Sequence, residues 1–199
     1  MLFRSPWWGT SASSATGPSS TRALKRSVIG ALNLAGANVD DMELATVPLT
    51  RFEVLNSQAA AGMSVRLMPG DASIVEIRMF DPEGRDIDPG FQRRIERLLY
   101  REDFRRAFSG DMGDIVSPPR TLDYYTAALE RLVDREALRA RSFKVVIDYS
   151  YGATSLALPS VLAKVGAEVL AVNPFAATRT GSGSLEDRRT RADRIGDLV

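Results

Sequence analysis

Asp148 is the acidic residue whose place in the sequence best fits a ligand site. It stands at the carboxyl end of a predicted strand over residues 143–149, and Gly152 follows at the turn into a predicted helix. Sheets of α/β proteins bind ligands at this end of their strands. The loop has neither the G-x-G-x-x-G nor the P-loop pattern, so it gives little support for nucleotide binding. An aspartate here more often caps the next helix or orients the loop.

A second candidate site is the turn from Arg66 to Asp71, between two predicted strands. The backbone amides of a tight turn, together with the cations of Arg66 and Arg78, could form a cradle for a phosphate group. The alternative is that both arginines are ordinary surface residues of the strands. The sequence leaves both interpretations open.

Composition excludes many other chemistries. The 199 residues include no cysteine and no histidine, so thiolate nucleophiles, zinc-thiolate sites, Ser-His triads and His-ligated metals are excluded. Charge is balanced at 26 basic and 25 acidic residues, which disfavours general binding to nucleic acid. What remains is chemistry by Asp, Glu, Lys, Arg, Ser and Tyr, with a cation held by oxygen.

Two features of the sequence bear on localisation. No apolar run approaches the roughly 20 residues that span a bilayer. The first 21 residues lack the apolar core of a secretion signal, and we expect them to be disordered or irregular. The sequence therefore predicts a cytoplasmic protein without membrane contact.

Helices and strands alternate in the first half of the chain. We expect a helix that opens after Ser20 and Thr21 and stops at Gly36. The next predicted elements are a strand over about 37–44, a helix from Pro48 to Gly62, and a hairpin with strands 63–67 and 74–80 around Pro69-Gly70-Asp71.

A strongly basic helix is predicted over residues 89–106, with arginines interleaved among apolar residues. This pattern could indicate nucleic-acid binding. However, Glu96, Glu102 and Asp103 interrupt the positive charge, so the solvated face of an amphipathic helix is the commoner explanation. We expect no nucleic-acid partner.

The second half reads as a linker at 110–119, one long helix over 121–139, and a βαβ unit over 143–172. That unit consists of strand 143–149, helix 153–165 and strand 168–172, with a parallel crossover expected. Residues 185–199 could form a final amphipathic helix. The helix-to-strand joint at Gly36 recurs at Gly166, which indicates two similar α/β domains in tandem, the second one incomplete.

The order and spacing of several short stretches match one protein family. They are Pro18-Ser19-Ser20, residues 34–39, Thr46-Val47-Pro48, the hairpin 62–80 with Asp81, Gly84 and Asp86-Ile87, and residues 144–149 with Gly152-Ala153, 166–169 and Asn173. On these residues the chain resembles the first domain and the beginning of the second domain of the α-D-phosphohexomutases, the family of phosphomannomutase and phosphoglucomutase.

The resemblance implies a set of expectations for fold and site. We expect tandem mixed α/β sheet domains: an irregular N-terminus over 1–21, a mutase-like domain over 22–112 with its active-site hairpin at 62–80, and the start of a second domain over 113–199 with the βαβ unit at 143–172. The substrate class would be a hexose phosphate and the family's cofactor Mg²⁺. Arg66 and Arg78 are the expected phosphosugar-binding residues.

The chain departs from the family where the chemistry occurs. The family's hairpin turn reads T-A-S-H-N-P, and its serine carries the phosphoryl group. Aligned from Gly62, that serine position is Met68 here, and a thioether can neither carry a phosphoryl group nor ligate Mg²⁺ as a phosphoserine does. Ser64 and Ser73 lie near, but neither matches.

Other family features are also changed. Gly17 stands where an arginine is expected, and the metal loop D-G-D-x-D-R would fall beyond Val199. We therefore expect no catalytic residue and no metal ligand in this chain. The lysine that follows Asn-Gly-Ile in the family's hairpin is Arg78 here, which keeps the cation.

Two hypotheses follow, with a third kept open. The first is part of a phosphohexomutase-like enzyme of carbohydrate and sugar-nucleotide metabolism, inactive alone. The second is a non-catalytic mutase-like module, linked in a longer fused polypeptide to a bacterial mannose-1-phosphate guanylyltransferase. An unrelated nucleotide binder that uses the Asp148 loop is the third.

Overall fold

A computed structural model describes residues 14–15, 19–68, 71–102, 104, 106–176 and 185–196. Its helices and strands in chain order are β1 (Ser14–Ala15), α1 (Ser19–Leu34), β2 (Val39–Asp40), α2 (Val47–Ser57), β3 (Gly62–Met68), β4 (Asp71–Phe80), α3 (Pro89–Arg101), β5 (Ile115–Val116), α4 (Thr121–Leu132), α5 (Arg135–Ala140), β6 (Lys144–Asp148), α6 (Leu158–Lys164), β7 (Glu168–Val172) and α7 (Leu185–Gly196). The predicted mixed α/β fold is confirmed. Most of the N-terminal segment 1–21 lies outside the described residues.

The chain divides into two compact units. Unit 1 contains residues 1–14, 20–65 and 76–118, and unit 2 contains residues 15–19, 66–75 and 119–199. The division therefore passes through both strands of the hairpin. The domain limits 22–112 and 113–199 stay a prediction.

Helix α1 supplies the buried face of unit 1. Thr21, Lys25 and Ile29 recur at a spacing of four residues, and all three are buried. The helix begins at Ser19, so the expectation that it opens after Ser20 and Thr21 is wrong. Thr21 lies within the first turn because its fully buried side chain belongs to the packed face.

Lys25 makes a buried ion pair at the centre of this face. Its ammonium group donates to Asp41 Oδ1 at 2.8 Å and to the Glu43 carbonyl oxygen at 3.0 Å. The Glu43 amide donates to the same Asp41 oxygen at 2.8 Å. These bonds fix the loop after β2 against α1.

Strand β5 closes unit 1 beside β2 in a two-stranded parallel sheet, with Val39 opposite Ile115. Asn33 Nδ2 donates to the carbonyl oxygens of Ala37 and Asp114, and the Asp114 amide donates to Asn38 Oδ1 at 2.9 Å. Two expectations are therefore wrong. The predicted strand 37–44 has two residues only, and the predicted linker 110–119 contains a strand.

Helix α2 begins as its sequence predicts. Thr46 accepts the Leu49 amide at its hydroxyl oxygen, and Pro48 lies in the first turn. The helix ends earlier than Gly62, because Gln58 adopts a left-handed conformation at φ 58°.

After α2, β3 and β4 are neighbours in a sheet of order β1-β3-β4, which confirms the predicted hairpin. Pro69 and Gly70 lie outside the described residues.

Helix α3 is shorter than the predicted 89–106. Asp88 caps its start by accepting the Gly90 and Phe91 amides at 2.7 and 3.0 Å, and Glu102 ends it at φ 52°. Arg106 therefore lies outside the helix. Asp103 and Arg105 are outside the described residues.

Unit 2 breaks the predicted helix over 121–139 into α4 and α5. Val133 is extended, and Asp134 accepts the amides of Glu136 and Ala137, which starts a new helix. An aspartate that can cap a helix has overridden the continuous apolar pattern.

The βαβ unit is the most accurately predicted element. Strands β6 and β7 pair in parallel from Lys144 opposite Glu168 to Asp148 opposite Val172. The connection differs from the single predicted helix over 153–165, because a 3₁₀ turn over Ala153–Leu156 precedes α6. Pro159 lies in the first turn of α6, where its missing amide costs no hydrogen bond.

The described part of the final predicted helix is α7, and residues 197–199 lie outside the described ranges. None of the helices described has the length and apolar character that a membrane crossing requires.

Candidate functional site

Met68 ends strand β3 at the hairpin position where the family resemblance expects a phosphoserine. Its side chain is 38% exposed. It is the last residue before the connection of two residues, so the strand delivers it to the tip of the hairpin. A thioether at this tip offers no oxygen for phosphoryl transfer.

The two nearby serines have different environments. Ser64 is fully buried. Ser73 is exposed, and its hydroxyl donates to Asp71 Oδ1 at 2.5 Å, while its amide donates to the same oxygen at 2.9 Å. The hydrogen bonds from the Ser73 hydroxyl and amide lower the pKa of the Asp71 carboxyl. Asp71 is therefore ionised near neutral pH and is a weak base.

The predicted phosphosugar arginines are both half-buried. Arg78 Nη2 lies 3.3 Å from Glu76 Oε1, so the carboxylate of Glu76 neutralises part of the charge of Arg78. Arg66 belongs to unit 2 and Arg78 to unit 1. Their role in phosphosugar binding stays a prediction.

Magnesium, the family's expected cofactor, does not fit the described side chains. Within the described ranges, no three or more acidic residues come together as a metal-binding group. Asp71 is committed to Ser73, and Met68 is a poor ligand for a hard cation.

Hydrogen bonds tie the loop after β6 to the end of β7. Asp148 Oδ1 accepts the Ser150 amide at 2.7 Å and the Asn173 side-chain amide at 3.0 Å. The Tyr151 amide donates to the Asn173 carbonyl oxygen at 3.3 Å. Asp148 thus links the ends of β6 and β7 and orients the loop, and it does not cap the following helix.

The electrostatics of Asp148 follow from these contacts. Burial raises the pKa of its carboxyl, but the hydrogen bonds from Asn173 and Ser150 and the charge of Arg191 outweigh burial, and the pKa lies below its ordinary value. An ionised carboxylate with its donors in place suits a structural role. It does not suit a general base, whose pKa should lie near the operating pH.

Two residues of this loop were not identified as a site from the sequence. Asn173 adopts a left-handed conformation at φ 49°, which asparagine tolerates better than most residues. Tyr149 is 5% exposed, and its hydroxyl has no hydrogen-bond partner among the described residues. Burial raises the pKa of the Tyr149 hydroxyl. The parallel pairing of β6 and β7 was the signal that could have predicted the Asp148–Asn173 contact.

The sequence relatives of this chain include sugar-phosphate mutases. A scan of family models finds no match. The phosphoglucomutase/phosphomannomutase of Thermococcus kodakarensis is 30% identical over 155 residues, which are 75% of this chain and 33% of that protein. The phosphoglucosamine mutase of Natranaerobius thermophilus is 24% identical over 74% of this chain and 33% of its own length.

Sequence and structural relatives both point to the phosphoglucomutase/phosphomannomutase family. A family protein from Burkholderia thailandensis matches 88% of this chain with a TM-score of 0.66 at 14% identity. A structure from Thermus thermophilus matches 85% with a TM-score of 0.68 at 22% identity. These likenesses show the mutase fold. The chain spans about a third of the length of the mutases that it matches in sequence.

Proposed function

We propose that this chain is a mutase-like part of a protein of carbohydrate metabolism, which binds a hexose phosphate without transferring its phosphoryl group. The observation that carries the proposal is Met68 at the end of β3, where the mutase resemblance expects the phosphoserine. The resemblance in fold favours the substrate class. The thioether argues against the reaction.

The chemistry of phosphoryl transfer supports this proposal. A covalent phosphoenzyme needs an oxygen nucleophile, and the charge that develops on the phosphoryl group needs a cation to stabilise it. Met68 supplies no oxygen, and Ser64 is buried. Among the described residues, no three acidic side chains come together to hold a metal ion.

One observation favours a second candidate, a mutase with a shifted nucleophile. The Ser73 hydroxyl donates to the Asp71 carboxylate at 2.5 Å on the strand that follows Met68. A serine beside a carboxylate could be phosphorylated by a sugar bisphosphate. The lowered pKa of Asp71 makes it a weak base, which favours the first proposal.

The experiment compares binding with transfer. The chain is mixed with glucose 1-phosphate or mannose 1-phosphate, the matching hexose 1,6-bisphosphate as phosphoryl donor, and Mg²⁺. Binding is measured by calorimetry, product by phosphorus NMR, and phosphoprotein by intact mass. We expect binding, no 6-phosphate and no phosphoprotein. A phosphoprotein or product in the wild type that Ser73→Ala abolishes would establish the second candidate instead. Absence of sugar-phosphate binding would contradict the first.

The hairpin arginines are tested in the same assay. We expect Arg66→Ala and Arg78→Ala each to weaken hexose-phosphate binding about tenfold, the loss of one charge-assisted hydrogen bond. Arg22→Ala, an exposed arginine of α1, is the matched control and should bind like the wild type. If all three variants bound hexose phosphate as tightly as the wild type, the hairpin arginines would not belong to the proposed site.

We further propose that the chain serves sugar-nucleotide supply in a bacterium, as a module fused to a mannose-1-phosphate guanylyltransferase. Loss of the serine from a retained mutase fold supports a role beside another catalytic domain. Capture of the native protein with an antibody to residues 143–172, followed by intact mass, tests this proposal. A mass near 21.7 kDa would contradict the fusion.

A further inference from the structure

Helix α3 carries apolar residues without burying any of them. None of its thirteen residues is buried, and Ile95 is only half-buried. Leu98 is 49% exposed, Leu99 57% and Tyr100 89%. Just after the helix, Phe104 and Phe108 are also exposed. Exposed apolar residues that are grouped on one element, and not scattered singly, mark interaction sites.

Four apolar residues of α3 share one face of the helix. Phe91, Ile95, Leu98 and Leu99 recur at i, i+4, i+7 and i+8, the spacing of a helix that packs against another. The four arginines of α3 lie beside this stripe and around the adjoining face: Arg93, Arg94, Arg97 and Arg101. We call these residues the α3 face.

Charge selects the kind of partner that the α3 face fits. The helix has four arginines and a single glutamate, Glu96. Arg94 and Arg101 are seven residues apart, so both flank the same side of the apolar stripe. Arg94 lies over the ring of Phe91, with its guanidinium carbon 5.1 Å from the ring centre. A partner that covers the stripe brings its own flanking residues against Arg94 and Arg101, and carboxylates there would form charge-assisted hydrogen bonds.

We propose that the α3 face docks an acidic amphipathic helix of a partner protein. The partner would place apolar side chains on Phe91, Leu98 and Leu99, and Glu or Asp side chains opposite Arg94 and Arg101. This proposal is independent of hexose-phosphate binding, because none of the residues in the hairpin takes part.

Two other occupants fit less well. A second copy that packs antiparallel on this stripe would bring Arg94 and Arg101 against the same arginines of its partner, and like charges repel. An anionic lipid surface would meet the exposed carboxylates of Asp88, Glu96 and Glu102 along the helix and at both of its ends. A protein helix can place its charges to suit this mixed pattern.

The test uses two designed peptides of about 18 residues, long enough to populate a helix. Both carry a leucine stripe; one is flanked by glutamates and the other by lysines. Fluorescence anisotropy of each labelled peptide is measured with the full chain. We expect the glutamate peptide to bind at least about tenfold more tightly than the lysine peptide, a difference of about 1.4 kcal/mol.

Variants locate the binding on the chain. Arg94→Glu with Arg101→Glu should reverse the preference between the two peptides, and Leu98→Ser with Leu99→Ser should abolish binding of both. Arg22→Glu with Arg26→Glu makes the same charge change on the exposed side of α1 and should leave the preference unchanged. Circular dichroism and thermal melting check that each variant is folded.

Three outcomes would overturn the proposal. The first is equal or absent binding of the two peptides by the wild type, and the second is an unchanged preference after reversal of Arg94 and Arg101. The third is a different occupant of the α3 face. The chain would then sediment with vesicles of phosphatidylcholine and phosphatidylserine, or self-associate in the ultracentrifuge, and the Leu98→Ser, Leu99→Ser variant would do neither.

Discussion

Helices α1 and α3 belong to the same unit, but one face of α1 is buried and no residue of α3 is. In α1, Thr21, Lys25 and Ile29 are buried along one face. In α3, an equally regular stripe that includes Leu98 stays exposed. A face with two polar residues is therefore buried in α1, while an apolar stripe is left exposed in α3. An apolar stripe does not by itself show that the same chain covers the helix.

The difference lies in what surrounds each helix. The C-terminal end of α1 is held by β5, the loop before β2 and the side chain of Asn33, and its middle is held by the Lys25–Asp41 pair. Helix α3 has a capped start and a left-handed end, and these are local interactions. We expect substitutions around α1 to cost far more stability than equivalent substitutions on α3.

The largest effect is expected from Gly113→Ala. A Cβ at Gly113 would overlap the carbonyl oxygen of Ala37, so the backbone between α1 and β2 would have to move. We expect a loss of at least about 3 kcal/mol in the free energy of unfolding, measured by urea denaturation. Gly110→Ala is the control, because its Cβ meets no atom within 4 Å. Equal stability of the two variants would mean that β5 does not hold the end of α1.

Lys25→Met tests the middle of the buried face. It removes the donor to Asp41 and leaves a carboxylate and the Glu43 carbonyl oxygen without their cation. We expect a loss of about 3 kcal/mol, since breaking a buried ion pair leaves an uncompensated charge. The matched change Arg26→Met, on the exposed side of α1, should be within about 0.5 kcal/mol of the wild type.

A direct comparison pairs Ile29→Ala on α1 with Leu98→Ala on α3. Ile29 packs in a cluster with Val39 and Leu32, so its truncation should cost about 2 kcal/mol. Leu98 is half exposed, and its truncation should cost less than about 0.5 kcal/mol. A cost at Leu98 as large as that at Ile29 would show that the chain itself covers α3 in solution.

The smallest effect is expected at low pH, at the start of α3. Hydrogen bonds from the Phe91 and Gly90 amides lower the pKa of the Asp88 carboxyl, which caps α3. The ionised cap therefore stabilises the helix above the ordinary aspartate pKa of about 4, and this contribution is lost as the pH falls through the lowered value. The protection of the amides in the first turn of α3, measured against their intrinsic exchange rates, should fall there. Asp88→Asn keeps a cap that does not titrate, and its exchange should lack this step.

The accuracy of the sequence predictions follows the range of the interactions. The strands of the βαβ unit were predicted because apolar runs and Gly166 act locally. The break between α4 and α5 was missed, although Asp134 is a local capping signal. Strand β5 was missed because its two residues pair with Val39 and Asp40, far away in the sequence.

The same reasoning applies to the candidate sites. The place of Asp148 at a strand end was predicted, and its loop-orienting role was one of the interpretations. Its partner Asn173 was not predicted, since that contact depends on the parallel register of two strands. Met68 was identified through the family resemblance, and its exposure at the tip of the hairpin is what the structure adds.

The pairing of β2 with β5 also bears on the order in which unit 1 is assembled. The bond from Asp114 to Asn38 joins residues 76 positions apart, and the bond from Asn33 to Asp114 spans 81. Closing so long a loop costs chain entropy before any contact repays it. Helices α1 and α2 and the hairpin can form within shorter segments of the chain. We therefore expect docking of β5 to come late in folding, at a rate that depends on how well the earlier elements have already brought the two ends together.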